Sequence, residues 1–525
     1  MKFFKIFCFF AVSCHFRRFS VKKVFFCLLI FFVFFFTGCG SSSNSGISPE
    51  NMYVAPYIHS IAVPCKAETK GRNATYQWYE SSDGSTSSGV AVQGAADMIF
   101  TTPNYHEKGI YYYYCTAAVE GKTSISDVSS VAYTALPTLY LNTPDGVEIT
   151  SNEDWLEDAT ISVVGAYNED WNFESVKTSI KGKGKASWER PKKSYTLKLQ
   201  EKREIMDMPE EKRWILLANY RDKSFMRIET ALYLSETFKL SWTPHGEFVD
   251  LVLNGEYKGL YWFGETVKVD ENRVNIYEPL DLFNDDDKNY LLETEEDSSD
   301  PLYFKSGIRK IPYIVKNENG MLDSDGNITS GGKERLERLN AKINVLEKLL
   351  YPDFTEGTDT NKCSAPNEGY SSMIDTDSWI KFWLVNEIMD NKKLETPESC
   401  FFTFDMQNTL TAGPVWDFET ASVYQRSSCR LQNTLYYDAL FKSPAFTART
   451  RELWDTYYSR MDIEAFIEST RDAISTAAQY DMMLWGSKSN DPSGVNRKDF
   501  NAYTDFLKET IIKKISVVNK FIENL

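Results

Sequence analysis

The sequence predicts a multidomain protein in which a β-sandwich is followed by an α+β domain with C-terminal helices. Short strand-like runs fill residues 51–135, longer alternating strands begin near residue 138, and three stretches with helical apolar stripes lie beyond residue 449. At 525 residues the chain is too long for one small core. Two or three folding units are therefore expected.

The charge balance argues against one class of partner. The chain has 58 Lys and Arg residues against 74 Asp and Glu residues, which gives a formal net charge of -16. Proteins that bind nucleic acid present a basic surface, so we expect no nucleic-acid partner. With only 4 His residues and no Cys/His cluster at zinc spacing, neither a zinc site nor a His-based triad is expected.

The first residues have the pattern of an export signal. Basic residues between Arg17 and Lys23 precede an uninterrupted apolar run from Val24 to Phe36. This run has the length of a signal-peptide core and is shorter than the roughly 20 residues that a membrane-spanning helix needs. The sequence therefore predicts export.

The end of this run resembles a bacterial lipobox. Thr37-Gly38-Cys39 is followed by a Ser- and Gly-rich stretch, which predicts a lipoprotein signal peptide over residues 1–38, a lipid on Cys39 and a polar tether over residues 39–50. A plain secretory leader or an uncleaved anchor is the alternative. The lipid anchor implies a location in the bacterial cell envelope, on the membrane or at the cell surface.

Residues 51–135 resemble an immunoglobulin-like sandwich. Trp78 follows Cys65 by 13 positions, Cys115 follows Cys65 by 50, and Tyr113 stands two residues before Cys115, where that fold has its tyrosine corner. Because export exposes cysteines to oxidation, a disulfide between Cys65 and Cys115 is plausible. The module is expected to bind protein or to act as a spacer, with a simple rigid stalk as the alternative.

A glycine- and lysine-rich segment suggests a phosphate-binding loop. Lys181, Lys183 and Lys185 alternate with Gly182 and Gly184, so the glycines would let the backbone approach an anion while the lysines present charge on one side of an extended chain. Lys198, near the end of the next strand, would add to this charge. The alternative is a solvated basic loop.

Three further segments have strong local signals. Asn254-Gly255 predicts a hairpin turn, and Glu265, at the end of its second strand, is expected to pair with Lys198 or Lys181 unless it forms an ordinary surface ion pair. Asp222 is expected to cap the helix that follows it. The apolar run Gly413 to Glu419 predicts a strand that carries Asp417 and Glu419 on one face, as candidate metal ligands.

Several of these segments together resemble the CotH family of spore-coat and surface proteins. The segments that match the family are Ile180 to Trp188, the strand and turn Trp214 to Ser224, Leu253 to Tyr261, Asn386 to Asn391, and Gly413-Pro414-Val415-Trp416-Asp417-Phe418, with Glu419 replacing a final Asp. The resemblance implies that residues 137–525 form an atypical kinase-like domain.

The resemblance also implies cofactors and roles. Residues Lys181, Gly182, Lys183, Gly184, Lys198 and Glu265 would bind ATP, and Asp417 with Asn391 and Glu419 would hold Mg²⁺. The family's catalytic Asp aligns with Lys393, and a charged lysine cannot accept a proton. Asp390 and Glu395 are the nearest candidates to replace it.

Two functions remain open from the sequence. One is an ATP- and Mg²⁺-dependent protein Ser/Thr kinase that acts on exported proteins. The other is a catalytically inactive surface binding protein or adhesin that uses the kinase-like domain as a scaffold. In both, the partners are the membrane, through the lipid, and exported or surface proteins.

Overall fold

The computed structural model describes residues 47–70, 73–276, 289–318, 320–420, 422–486, 497 and 499–525. The predicted signal peptide, Cys39, which is predicted to carry the lipid, and most of the predicted tether lie outside this range. Residues 47–525 form one compact unit. No helix in the described ranges is both long enough and apolar enough to cross a bilayer.

Two small sheets form the N-terminal part. Their strands are β1 (Met52–Val54), β2 (Ala62–Pro64), β3 (Thr75–Ser81), β4 (Gly89–Ala91), β5 (Ile99–Thr101), β6 (Gly109–Val119), β7 (Lys122–Ile125) and β8 (Ser129–Tyr133). One sheet has the order β1-β8-β6-β3-β4, with β7 also on β6, and the other pairs β2 with β5. Apolar residues from both sheets pack into one core, where Trp78 stacks on Phe100 at 5.4 Å between ring centroids.

The predicted cysteine pair lies in this core. Cys65 and Cys115 are both buried and free, and their side chains lie within hydrogen-bonding reach of each other. Burial, together with the neighbouring Cys65 thiol, raises the pKa of Cys115. The Tyr113 hydroxyl lies 2.9 Å from the hydroxyl of Tyr105, whereas a tyrosine corner would bond to the backbone.

A closed barrel follows. Its strands are β9 (Thr138–Asn142), β10 (Leu156–Val164), β11 (Phe173–Gly182), β12 (Tyr195–Ile205), β13 (Met208–Leu217), β14 (Gly246–Leu253) and β15 (Glu256–Glu265), in the order β10-β11-β12-β13-β15-β14-β9. Alternate residues such as Leu197, Trp214 and Phe263 fill the interior. The predicted Asn-Gly turn between β14 and β15 is confirmed, because Asn254 and Gly255 have φ angles of 51° and 80°.

The rest of the chain combines a second sheet with helices. The strands are β16 (Tyr290–Thr294), β17 (Tyr303–Lys305), β18 (Pro312–Val315), β19 (Cys400–Phe404) and β20 (Leu410–Ala412), in the order β17-β18-β16-β19-β20. The helices are α1 (Arg227–Thr237), between β13 and β14, and then α2 (Ser330–Leu350), α3 (Thr376–Ile388), α4 (Tyr437–Leu440), α5 (Pro444–Tyr458), α6 (Ile463–Trp485) and α7 (Phe500–Glu523). Sheet and helices share one large apolar core.

One predicted strand is wrong. β20 ends at Ala412, and residues 413–418 form neither strand nor helix after a cis Gly413-Pro414 peptide bond. Asp417 has a φ of 62°, outside the extended range, so the alternation of side chains that would place Asp417 and Glu419 on one face is lost. The two carboxylates consequently have different neighbours.

The N-terminal sheets and the barrel share an apolar cluster. It contains Met52, Val54 and Ala132 from the first part and Val252, Tyr257, Tyr480 and Leu484 from the second. The Tyr480 hydroxyl, on α6, accepts a hydrogen bond from the Tyr53 backbone N–H at 3.0 Å and lies 2.8 Å from the Ser130 hydroxyl. Helix α6 therefore contacts both parts.

Candidate functional site

The glycine- and lysine-rich segment is a loop between β11 and β12 that folds back on itself. Gly182 lies so close to the Trp188 indole that a side chain there would collide with the ring, and Gly184 has a φ of 76°. The Ser187 hydroxyl donates to the Lys183 carbonyl at 2.7 Å. Both glycines thus serve the turn itself, and the close approach to an anion stays a prediction.

The three alternating lysines do not face one side. Lys181 donates to the Glu153 carbonyl at 3.1 Å, and Lys185 pairs with Asp297 at 3.2 Å. Lys183 lies over the Trp416 ring, 5.8 Å from its centroid. The chain leaves the extended conformation after Gly182, so the expected alternation stops there. Of the three, Lys183 alone contacts the 413–419 segment.

The predicted pairing of Glu265 with Lys198 or Lys181 is wrong. Glu265 is buried, accepts a hydrogen bond from the His245 backbone N–H at 2.9 Å, and lies 3.5 Å from the Arg273 Nε. In the barrel register, Glu265 is opposite Trp214, and Trp214 is opposite Leu197. Lys198 is the next residue and is exposed, so its side chain projects from the other face of the sheet.

A buried ion pair fixes the end of the loop. The Lys192 ammonium, which is fully buried, donates to the Asp481 carboxylate at 2.5 Å and to the carbonyls of Ala218 and Leu260 at 2.8 and 2.6 Å. Burial lowers the pKa of Lys192 and raises that of Asp481, while each partner opposes the shift of the other. This pair attaches the loop to α6.

The main contact of the site joins Lys393 to Asp417. The Lys393 Nζ lies 2.6 Å from the Asp417 Oδ2 and 3.3 Å from Glu398, and the Lys393 side chain is 13% exposed. Burial lowers the pKa of Lys393, but the charges of Asp417 and Glu398 outweigh it and leave the pKa raised. Lys393 is therefore charged, and its positive charge neutralises the carboxylate that was expected to hold metal.

Glu419 is held by a different cation. Its carboxylate accepts hydrogen bonds from the Arg190 guanidinium at 2.7 Å and from the Arg221 backbone N–H at 2.9 Å. The Glu419 carbonyl accepts a further bond from Arg227 at 3.2 Å. Sequence reasoning missed Arg190, because it lies 229 residues from its partner and no local pattern distinguishes it.

The remaining metal and base candidates are also engaged. The Asn391 Oδ1 accepts from the Lys393 backbone N–H at 3.1 Å, and its amide donates to Asn386 at 2.9 Å. Glu395 forms a two-point contact with Arg426 at 2.6 and 3.0 Å. Asp390 is buried and accepts from the Arg426 backbone N–H at 3.1 Å. None of these three side chains contacts Asp417.

Asp390 belongs to a buried charge cluster behind the site. The Lys514 ammonium, from α7, lies 3.7 Å from Asp390 and 2.7 Å from the fully buried Glu387. Arg426 lies 3.5 Å from Asp390. These contacts hold the Asn391–Leu394 turn in place.

Asp222 has the predicted capping role, because it accepts from the Arg227 backbone N–H at the start of α1, at 2.9 Å.

These residues do not fit a magnesium ion in this arrangement. Mg²⁺ requires several oxygen ligands at about 2.0–2.1 Å. Among the described residues, no group of three or more His, Cys, Asp and Glu side chains is placed to hold a metal ion. A divalent ion on Asp417 would lie about 4 Å from the Lys393 ammonium, with a repulsion of roughly 8 kcal/mol at an effective dielectric constant of about 20.

Comparisons with curated proteins and with solved structures give no informative match. No curated protein matches the chain. A crystal structure of the N-terminal four Ig domains of Dscam1 isoform 8.4 matches at 12% identity, over 31% of this chain and 42% of that chain, with a TM-score of 0.13. A structure described as the structural basis for Dscam isoform specificity matches at 15% identity, over 29% and 40%, also with a TM-score of 0.13.

The chain therefore spans less than half the length of these two structures, and such low TM-scores carry no argument about the fold. The family model is different, because it covers most of the chain. The model of the CotH kinase protein family matches residues 179–523, which include Lys183, Lys393 and Asp417. The chain belongs to the CotH kinase protein family.

Proposed function

We propose that this CotH domain is a binding domain that does not transfer phosphate. The observation that carries the proposal is the contact of 2.6 Å between Lys393 and Asp417. Lys393 stands where the family pattern has its catalytic Asp. A base must accept a proton, and a charged lysine that is paired with a carboxylate cannot do so.

The two replacement bases do not restore this chemistry. Arg426 contacts both Glu395 and Asp390, and Lys514 also lies 3.7 Å from Asp390. Both carboxylates are thus held by protein cations, and Asp390 is also buried away from a substrate hydroxyl. The charges around the site thus favour binding over catalysis.

The proposal includes the setting of the domain. The apolar run and Cys39 support an exported lipoprotein in the bacterial cell envelope, with exported or surface proteins as partners and no nucleic acid. The N-terminal sheets would form an immunoglobulin-like module that displays the domain or binds protein. The buried neighbours Cys65 and Cys115, beside the buried Trp78, support that module and a disulfide within it.

The test measures phosphate transfer from radiolabelled ATP in the presence of Mg²⁺. The full-length wild-type protein is expected to label neither itself nor a mixture of exported proteins, whereas Lys393→Asp restores the family residue and is expected to gain labelling. Lys513→Asp makes the same charge change at an exposed position of α7 and is the control. The proposal is refuted if the wild type labels proteins and Asp417→Asn does not.

Phosphate transfer by a rearranged site is the second candidate function, and the exposure of one carboxylate favours it. Glu398 lies 3.3 Å from Lys393, and its side chain is 58% exposed. It is a carboxylate beside the base position that solvent and a substrate hydroxyl can reach. In this alternative Lys393 and Asp417 are not paired in the active form and Glu398 would accept the proton, so Glu398→Gln is expected to lose the labelling that the wild type shows.

A further inference from the structure

We infer that the Lys393 ammonium replaces a divalent cation, so that the site binds the polyphosphate chain of a nucleotide without metal. The inference rests on the proposed function, since it describes a ligand that is held and not cleaved. It also follows from the poor fit of Mg²⁺ to the carboxylates around Asp417.

The first argument is the local charge. Exchanging an aspartate for a lysine adds two positive charges, and two positive charges are what one Mg²⁺ would contribute. At Lys393 these charges lie 2.6 Å from Asp417, the carboxylate expected to hold the metal. The site without metal therefore has the same net charge as the family pattern with one Mg²⁺ bound.

The second argument is the convergence of further cations on the same segment. Lys183 lies over Trp416, the residue before Asp417, at 5.8 Å from the ring centroid. Arg190, from the same loop as Lys183, contacts Glu419 at 2.7 Å. Within the described part of the chain Lys183 forms no ion pair, so its charge is free to meet a phosphate.

The third argument is access. The side chain of Asp417 is 31% exposed, and Glu398, the second partner of Lys393, is 58% exposed. A phosphate oxygen can take the place of Glu398 on the Lys393 ammonium while the shorter contact with Asp417 remains. Glu398 returns to solvent at little cost, because its own side chain is already largely exposed.

The experiment measures binding of ATP and of inorganic tripolyphosphate to the full-length protein by calorimetry, once with EDTA and once with Mg²⁺. The wild type is expected to bind ATP in EDTA at least as tightly as in Mg²⁺. Lys393→Asp is expected to bind at least tenfold more weakly in EDTA and to recover in Mg²⁺. Lys183→Gln is expected to weaken binding under both conditions, and Glu398→Gln to strengthen it in EDTA.

The controls separate this inference from the proposed function. Lys513→Asp is expected to bind like the wild type. If tripolyphosphate binds as well as ATP, the phosphate chain is the recognised group. If the wild type binds ATP but not tripolyphosphate in EDTA, the same metal-free site also contacts the nucleoside. Mn²⁺ followed by electron paramagnetic resonance is expected to bind Lys393→Asp and not the wild type.

Two results would overturn the inference. One is ATP binding by the wild type that requires Mg²⁺, and the other is no binding of ATP or tripolyphosphate in EDTA. In the second case the proposed function stands as a scaffold without a phosphate ligand. Labelling of proteins by the wild type would instead refute the proposed function, whatever the metal dependence of binding.

Discussion

Replacing Lys192 by methionine tests whether the buried ion pair with Asp481 holds the loop to α6. Methionine keeps an unbranched chain of similar length but removes the ammonium and its three hydrogen bonds. In the described part of the chain, the Leu260 backbone N–H at 2.9 Å would still donate to Asp481, and the charge of Lys223 would still lower its pKa. The substitution leaves a buried carboxylate without the ammonium that is paired with it.

The expected cost follows from this geometry. Removing one partner of a buried ion pair typically costs about 3–5 kcal/mol, because the other charge remains desolvated. Two carbonyls also lose their donor, but protonation of Asp481 limits the total. We therefore expect Lys192→Met to lower the free energy of unfolding by about 4 kcal/mol.

The pH dependence has a definite sign. Burial already raises the pKa of Asp481, and the charge of Lys192 is the first influence that opposes it. Without Lys192 the pKa of Asp481 in the folded protein rises further above 3.8, the ordinary pKa of an aspartate. Between these two pKa values the folded variant holds a proton that the unfolded chain has released, so the stability of the variant falls as pH rises through this range. Lys192→Met should thus be closer to the wild type at pH 5 than at pH 8.

Urea denaturation of four proteins measures the effect: the wild type, Lys192→Met, Asp481→Leu and the double variant. The double variant removes both charges, so it should be at least about 2 kcal/mol more stable than the sum of the single effects predicts. Lys193→Met is the control, because, as far as the described residues go, its ammonium contacts the Trp188 carbonyl and ring at a partly exposed position and forms no ion pair. A loss below about 1 kcal/mol for Lys192→Met, or additive costs, would refute the reasoning.

Three further predictions concern other parts of the molecule. Contacts with Glu236 and Glu265 raise the pKa of His245 from 6.5 to about 10. Its contribution to stability is therefore full below pH 6.5 and lost as pH rises to about 10, so His245→Gln should cost about 1 kcal/mol at pH 6 and nothing at pH 10.5. Tyr480→Phe removes the bonds to the N-terminal sheets, so we expect a loss of about 1–3 kcal/mol and faster hydrogen exchange at the Tyr53 amide. If the proposed disulfide forms, oxidised wild type should be about 2–4 kcal/mol more stable than reduced, and Cys65→Ala should lose that difference.

Two of these predictions have a matched control, and two have a stated contrary outcome. Tyr458→Phe changes an exposed tyrosine and should leave exchange at the N-terminal sheets unaltered. Cys363→Ala changes another buried cysteine and should keep the effect of oxidation. If His245→Gln loses the same stability at pH 6 and at pH 10.5, the ion-pair explanation is contradicted. If Tyr480→Phe leaves hydrogen exchange at the Tyr53 amide unchanged, the proposed role of α6 in holding the N-terminal sheets is contradicted.

Local signals were sufficient for much of the fold. The turn at Asn254-Gly255 follows from the conformations of two residues, and the cap formed by Asp222 follows from a side chain that bonds to nearby backbone. The helices near the C-terminus follow from apolar residues at helical spacing. Each of these depends on a few neighbouring residues, so the sequence alone is sufficient to predict it.

The site depends on contacts that no local pattern contains. Glu265 pairs with His245 and Arg273 because the barrel register turns Lys198 to the other face. The run after Ala412 is as apolar as a strand, yet it bends. The sequence located Lys393 as a departure from the family, but its contact with Asp417 became visible only in three dimensions.

The apolar cluster between the N-terminal sheets and the barrel affects how the chain can be divided. A protein shortened to begin at residue 137 would lose Met52, Val54 and Ala132 from that cluster and would leave Val252 and Tyr257 facing water. Exposed apolar patches of this kind promote association between copies. The border between the two parts is thus a border in sequence but not in the folded interior, and a shortened protein that aggregates would say nothing about whether the kinase-like domain is active.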